Sequence, residues 1–421
     1  MLNIDSKKSW VVCICASLFF FFEYFQINMY NILDKPLMVD FNINTLELSL
    51  ISSVYFYGTV LLLIPAGIAL DVFSVKKLMI YSMAISVIGT IFFSFSNGFY
   101  SLALSRGLVG IGAGPLCLIS SMKLISQWFS NKKSGLVSGV VVSVGILGGV
   151  ISQAPFSYLV SSFGWRTAVQ IDSLVGLIIL ILIFCFVDEK NHSKEKFLEN
   201  KLFIKEILNK TRNVLFKKKN ISICIYAAFL NLPTFLIGSL IGSLYIEQTY
   251  KVSHLFSSIV NTFIYLGILV GSPFFGFLHD RVDKNRGKFN SFFCGYLIVL
   301  LSIMYEIVFM GGNIYMTTLS FFLIGFGTSA HVCVYPVMAN RNNENVGIAE
   351  SIAACSIMLA GAIFQPIFGA LVNFNLKTDK SFQLIYSAQN YKNGFLLILI
   401  MLITGLFLTG FKKSKMGDSF V

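Results

Sequence analysis

GIALDVFSVKK, Gly67 to Lys77, and GFLHDRVDKNRGK, Gly276 to Lys288, share one plan: an apolar run ends in Gly-x-x-x-Asp and the chain then turns basic. About 209 positions, half the chain, separate them. A second echo, RGLVGIG (Arg106 to Gly112) against FFLIGFG (Phe321 to Gly327), keeps nearly the same spacing. Two registers offset by half a sequence mark an internal duplication. Apolar runs of about 20 residues surround both copies, which makes the repeated unit a set of membrane helices.

Composition supports that reading. Of 421 residues, 56% are hydrophobic and 12% charged, and Phe alone fills 42 positions. A soluble chain carries roughly twice that charged fraction. The unbroken apolar runs also argue against the alternating pattern of a membrane β-barrel. Twelve spans follow, approximately 10–33, 45–69, 77–96, 99–126, 135–161, 166–187, 221–245, 253–277, 289–309, 315–338, 346–373 and 393–411. The expected fold is all-α and polytopic, with twelve transmembrane helices in two pseudo-symmetric six-helix bundles. Its N-terminal half is 1–187, its C-terminal half 221–421, and a basic linker, 188–220, joins them.

A net charge of +12 suggests nucleic acid in a soluble protein, but here its location decides its meaning. With both termini in the cytoplasm, 24 of the 32 Lys and Arg residues fall in cytoplasmic segments, 6 in outer loops and 2 within spans. An inner-membrane protein with cytoplasmic termini and no nucleic-acid partner is expected. The linker carries ten basic residues against five acids and is expected to lie on anionic headgroups. The run from Trp10 is too long, and lacks the small-residue cleavage site, of a removable signal peptide. All eight cysteines lie in apolar runs, so neither a disulfide framework nor a zinc site is indicated.

The repeated loop has a physical logic. Gly67 and Gly276 let helices approach closely, while Asp71 and Asp280 accept hydrogen bonds from a facing helix N-terminus or a basic side chain such as Arg281. Together with Arg106, Gly110 and Gly112, the loop pair resembles the major facilitator superfamily over the whole chain. The first copy departs from the family pattern, with Val72 where a basic residue is usual and Ser74 where glycine is usual. SLFFFFEYFQINMYN (Ser17 to Asn31), SSVYFYGTVLLLIPAGIALDVFS (Ser52 to Ser74), ISQWF (Ile125 to Phe129) and GWR (Gly164 to Arg166) are similar to the Pht branch of phagosomal nutrient transporters, itself similar to lysosomal dipeptide carriers. That resemblance implies uptake of amino acids, small peptides or nucleosides, commonly driven by protons.

Ionisable groups inside spans each cost roughly 2.5–3.5 kcal/mol on insertion scales, so they need a partner or a watery cavity. Glu23 lies about 20 Å up from the cytoplasmic edge and Arg106 about 12 Å down from the outer edge, which puts them at nearly one depth. If the first and fourth helices line a cavity, as the resemblance implies, the two either pair or hold the ends of a zwitterion. Glu23, Gln26 and Tyr30 fall at i, i+3 and i+7, a polar stripe on the first helix. In NLPT (Asn231 to Thr234) a proline interrupts the seventh helix, and carbonyls left free there make Asn231 and its surroundings a second solute-binding candidate. Glu23, Asp172 and His331 are the proton-coupling candidates. At most one of Tyr55 and Tyr57 faces a cavity, Glu306 and Glu350 read as snorkelling residues near span ends, and GILGGVISQAP (Gly145 to Pro155) reads as tight helix packing.

The function expected is proton-coupled uptake of a small polar solute by a monomeric carrier that needs no cofactor. A same-fold alternative is drug or metabolite efflux, and one of another class is a membrane sensor or enzyme. No loop holds a catalytic domain and no nucleotide-binding glycine motif appears, so an enzyme is not expected.

Overall fold

A computed structural model describes residues 6–114, 116–189, 209–279, 281, 290–342, 345–374, 377–378, 384–386 and 388–408. Asp280 of the second loop copy lies outside them, and of Asp71 only the backbone is described. Helices dominate: α1 Lys7–Asn28, α2 Tyr30–Phe41, α3 Thr45–Val72, α4 Val75–Ser94, α5 Phe99–Gly112, α6 Cys117–Trp128, α7 Asn131–Ile151, α8 Ala154–Phe163 and α9 Trp165–Phe186. After the linker come α10 Lys218–Pro233, a π-helical stretch Thr234–Ile241, α11 Gly242–Tyr250, α12 His254–Leu278, α13 Asn290–Val308 and α14 Ile314–Thr328. A 3-10 turn Ser329–Cys333, then α15 Val334–Arg341, α16 Val346–Asn373 and α17 Ala388–Leu408 complete the chain. The sole pairing of strands among the described residues, Lys377–Thr378 with Leu384–Ile385, is two residues long. Among the described residues, eleven stretches are long and apolar enough to cross a membrane, and Phe292–Val308 is a shorter apolar helix, which accounts for the twelve expected spans.

Local chemistry sets the helix ends. Ser6 opens α1 in a reciprocal capping box with Ser9, Ser74 caps α4 and Ser253 caps α12, each supplying an oxygen to a backbone N–H the helix leaves orphaned. Between α8 and α9, Gly164 takes φ +80°, a left-handed conformation that lets the chain reverse within one residue.

The chain forms two compact units, Met1–Leu33 with Val54–Lys201, and Asp34–Ser53 with Leu202–Val421. The duplication read from sequence reappears inside them as matched helix contacts. In the first, a Cβ on Gly110 would meet the Tyr55 carbonyl oxygen at 2.1 Å, and one on Gly112 the Ser86 nitrogen at 2.6 Å. In the second, a Cβ on Gly325 would meet the Ile264 carbonyl at 1.8 Å, and one on Gly327 the Gly295 carbonyl at 2.7 Å. Gly58 and Gly267 repeat the scheme from the opposing helices, against Gly107 and Phe322. With little hydrophobic drive between helices in lipid, backbones held this close gain dispersion contact that larger side chains forbid. Gly276 behaves otherwise: a Cβ there would meet nothing within 4 Å, so close helix approach is not what this glycine supplies.

Helix interruptions also recur in register. The first span, expected as one helix over 10–33, ends at Asn28 and restarts as α2, while the corresponding part of the seventh becomes the π-helical stretch. The fourth breaks between α5 and α6, and the tenth passes through Ser329–Cys333.

At one end of the second unit, Lys35 bridges to Glu247, whose other oxygen lies 2.9 Å from His254 Nδ1. Beside them Asp34 is fully buried, its Oδ1 accepting from the Lys35 amide and its Oδ2 unpartnered. Burial pushes the Asp34 carboxyl up to about 7, against the opposing pull of His254.

Two predictions follow from this packing. Gly110→Val and Gly325→Val should each lower the unfolding midpoint in detergent, by on the order of 3 kcal/mol of stability, while Gly276→Ala leaves it unchanged. An unfolded aspartate ionises near 3.9, and the folded one at about 7, so the stability Asp34 contributes declines as pH rises between the two. Thermal melts should show Asp34→Asn gaining over the parent at about pH 8 and losing that advantage near about pH 4.

Candidate functional site

Arg106 is the largest fully buried side chain among the described residues. It projects from α5 one turn before Gly110, so the backbone contact at Gly110 sets it against α3. Its Nη1 donates to the Gln26 carbonyl at 2.9 Å, and its guanidinium carbon lies 5.0 Å from the Tyr30 ring centre and 4.9 Å from that of Tyr55. Two aromatic faces thus shelter the cation, an arrangement worth about 2 kcal/mol each when desolvated. Its Nε and Nη2 are buried without hydrogen-bond partners. Gln26 Nε2 donates to Asp172 Oδ2 at 2.5 Å, tying α1 to α9, while Gln26 Oε1 and the Tyr55 hydroxyl are left unpartnered.

Glu23, one turn below Gln26, is buried and accepts from the Cys117 thiol at 2.6 Å. It does not pair with Arg106. The two were placed at one depth from sequence, but Arg106 points to Gln26 and the tyrosines, while Glu23 points to α6. Gln26, Tyr30, Arg106 and Asp172 therefore converge in the first unit, with Glu23 adjoining. Tyr55 joins them, and Tyr57 is 47% exposed, which resolves the choice between the two. Cys117, one of the eight cysteines in apolar runs, is thereby a neighbour of the candidate site that nothing in its local sequence signals. The GILGGVISQAP stretch packs as expected: a Cβ on Gly148 would meet the Phe21 carbonyl at 2.1 Å, which brings α7 close against α1.

In the second unit, Asn231 turns its amide back to the Ala227 carbonyl of its own helix at 2.9 Å. Side chains bond carbonyls of the π-helical stretch beyond Pro233: Ser239 donates to Thr234 O, Gln365 to Phe235 O and Asn261 to Gly238 O, whereas the carbonyl that Pro233 itself deprives of a donor is that of Phe229, one turn earlier. A π-helix misaligns the i→i+4 ladder, and these amides and hydroxyls repair it. His331 Nδ1 lies 2.9 Å from the Thr328 carbonyl and must donate there, because a carbonyl only accepts. Glu306 is not a snorkelling residue. It is 1% exposed, with Tyr245 donating to Oε2 at 2.9 Å and Oε1 unpartnered. The sequence reading failed because the adjoining α11 and α14 wall off what position alone places near the membrane edge. Among the described residues no group of three His, Cys, Asp or Glu is placed to hold a metal.

A family profile described as the Major Facilitator Superfamily matches residues 13–365. The chain belongs to that superfamily. Like its relatives, this facilitator is a transporter of a small solute and not an enzyme. It is 29% identical over 151 residues to the hexuronate transporter of Bacillus subtilis, covering 36% of each chain. It is 24% identical to the lysosomal dipeptide transporter MFSD1 of Mus musculus, over 58% of this chain and 56% of that one. The matches thus span less than two thirds of the length of these curated relatives. Among solved structures, a bacterial homologue of the human lysosomal transporter Spinster, inward-facing and unoccupied, superposes with TM-score 0.76 at 14% identity, covering 96% of this chain and 97% of that one. At that identity the likeness establishes the fold alone.

The facilitator's first loop copy shows what its departures do. Ser74, standing in place of the usual glycine, donates to Glu189 Oε2 at 2.6 Å while capping α4. Lys123 Nζ donates to the Leu70 carbonyl near the end of α3, and Lys8 pairs with Asp188 at 2.6 Å. In the second copy, Arg281 stacks on Phe277 at 4.8 Å.

The Gln26–Asp172 bond generates a test. Gln26→Leu strips a buried carboxyl of its donor and should cost about 2 kcal/mol, read as a lowered unfolding midpoint. Replacing both residues by Leu should recover most of the loss, because no orphaned carboxyl remains.

Proposed function

We propose that this facilitator imports an amino acid or small peptide across an inner membrane, with protons, by alternating access. The observation that carries the reading is the pair of unpartnered guanidinium nitrogens on buried Arg106. A solute carboxylate fits such a pair bidentately, in surroundings where each charge-assisted bond is strong. Tyr30 and Gln26 flank that position, and Glu23 one turn away is the partner for the solute's ammonium group.

Asp172 gives the proton a defined effect. While ionised, it accepts from Gln26 Nε2; once protonated, it becomes a donor, for which the unpartnered Gln26 Oε1 is the acceptor. The amide then turns, and with it the side chain beside Arg106. Glu23 is the alternative proton carrier in this unit. In the second unit, Asn231 and His331 are the corresponding solute-binding and proton-accepting candidates. Gly67 and Asp71 in one loop copy, and Gly276, Asp280 and Arg281 in the other, are assigned to gating at the cytoplasmic face, with both termini on that side. The carrier is proposed to work as a monomer.

Purified protein in liposomes should accumulate labelled amino acids or dipeptides under an inward proton gradient. Arg106→Lys should reduce uptake by at least about tenfold, chiefly through KM, because a point charge cannot reproduce the bidentate fork. Asp172→Asn should keep solute exchange while losing gradient-driven accumulation. Uptake that ignores the gradient removes the coupling, and an Arg106→Lys protein with normal KM removes the carboxylate assignment.

A further inference from the structure

The second unit carries a basic, aromatic platform that the transport reading does not use. A short helix over residues 209–215 leads through Phe216 and Lys217 into α10. One side is docked on the unit: Thr211 and Val214 are buried, and Asn220 Nδ2 donates to the Val214 carbonyl at 2.8 Å and to Asn342 Oδ1 at 3.3 Å. Lys217 Nζ donates to the same Asn342 oxygen at 3.0 Å, and Arg341 Nη1 to the Lys219 carbonyl at 3.0 Å. The other side faces outward, with Phe216 68% and Leu215 40% exposed. Arg212, Asn213, Phe216 and Lys217 line an open cavity of about 280 Å³.

We infer that this cavity is a built site for the phosphate headgroup of an anionic lipid, with Phe216 and Leu215 as its anchor in the leaflet. Depth, charge and shape agree. The apolar span begins at Lys218, so Phe216 lies within about 7 Å of its end even in extended chain, at headgroup level. Exposed aromatic and aliphatic side chains beside cations belong at that level, where the rings meet acyl chains and the cations meet phosphate. Lys217 commits one of its three donors to Asn342 and keeps two for a phosphate oxygen. Arg212 has no protein partner among the described residues, and its fork matches a phosphodiester. The docked side distinguishes this from a loosely attracted basic tail: Asn342 and Asn220 hold the platform in one orientation.

The full-length protein, with a photo-crosslinking benzoyl analogue in place of Phe216, is reconstituted in discs of equimolar phosphatidylglycerol and phosphatidylcholine. Lipid adducts at position 216 are then identified by mass spectrometry. Phosphatidylglycerol adducts should exceed phosphatidylcholine adducts by roughly tenfold. Adding Arg212→Gln with Lys217→Gln should bring the ratio to one, whereas Lys218→Gln with Lys219→Gln should keep most of it. Thermal melts of both pairs ensure that each is folded, and Arg212→Gln alone, on an exposed side chain, serves if the first pair is not. About 10 mM inorganic phosphate at constant ionic strength should leave the preference intact. An even ratio in the parent, equal losses from the two pairs, adducts to protein instead of lipid, or displacement by free phosphate would each overturn the inference. None of these outcomes depends on what the carrier transports.

Discussion

The close approach of α5 to α3 at Gly110 is the constraint on which the first unit's site depends. With no Cβ in the way, the two backbones come near enough for the Tyr55 ring to lie 4.9 Å from the guanidinium projecting one turn earlier on α5. A larger residue at Gly110 would push α3 away, and Arg106 would lose one of the aromatic faces that replace its hydration. The cation is then tolerable in the bundle because its charge is spread over a carbonyl and two rings. Among the described residues no carboxylate forms an ion pair with it, and its Nε and Nη2 are without hydrogen-bond partners.

The same physics governs the second unit, where the matching contact at Gly325 holds α14 against α12. Backbone groups in a bilayer must be satisfied within the protein. Where the π-helical stretch disturbs the ladder, Ser239, Asn261 and Gln365 supply side-chain donors to its carbonyls. Buried Glu306 follows the same rule in part, with one oxygen held by Tyr245 and the other unpartnered.

Buried polar groups left incomplete are scattered through both units, and where several share one position they mark where chemistry is available. Arg106, Gln26 and Tyr55 are incomplete together, around one position in the first unit. In a member of the major facilitator superfamily, that position is the one proposed above for the solute, whose own polar groups would complete it.

Sequence alone determined the helical membrane fold, its twelve spans and its duplication, because apolar run length and the repeated glycine registers are one-dimensional signals that lipid enforces directly. It also supplied the members of the polar cluster, since a charge inside an apolar run is conspicuous. The partners were decided only by the tertiary structure. Glu23 and Arg106 match in depth yet turn to different helices, Cys117 becomes a neighbour of the site without any local signal, the choice between Tyr55 and Tyr57 falls to Tyr55, and Glu306 is buried instead of reaching for the membrane edge. Depth along a helix follows from counting residues, but the direction a side chain faces depends on how neighbouring helices rotate and pack, and that is fixed by contacts between segments far apart in the chain.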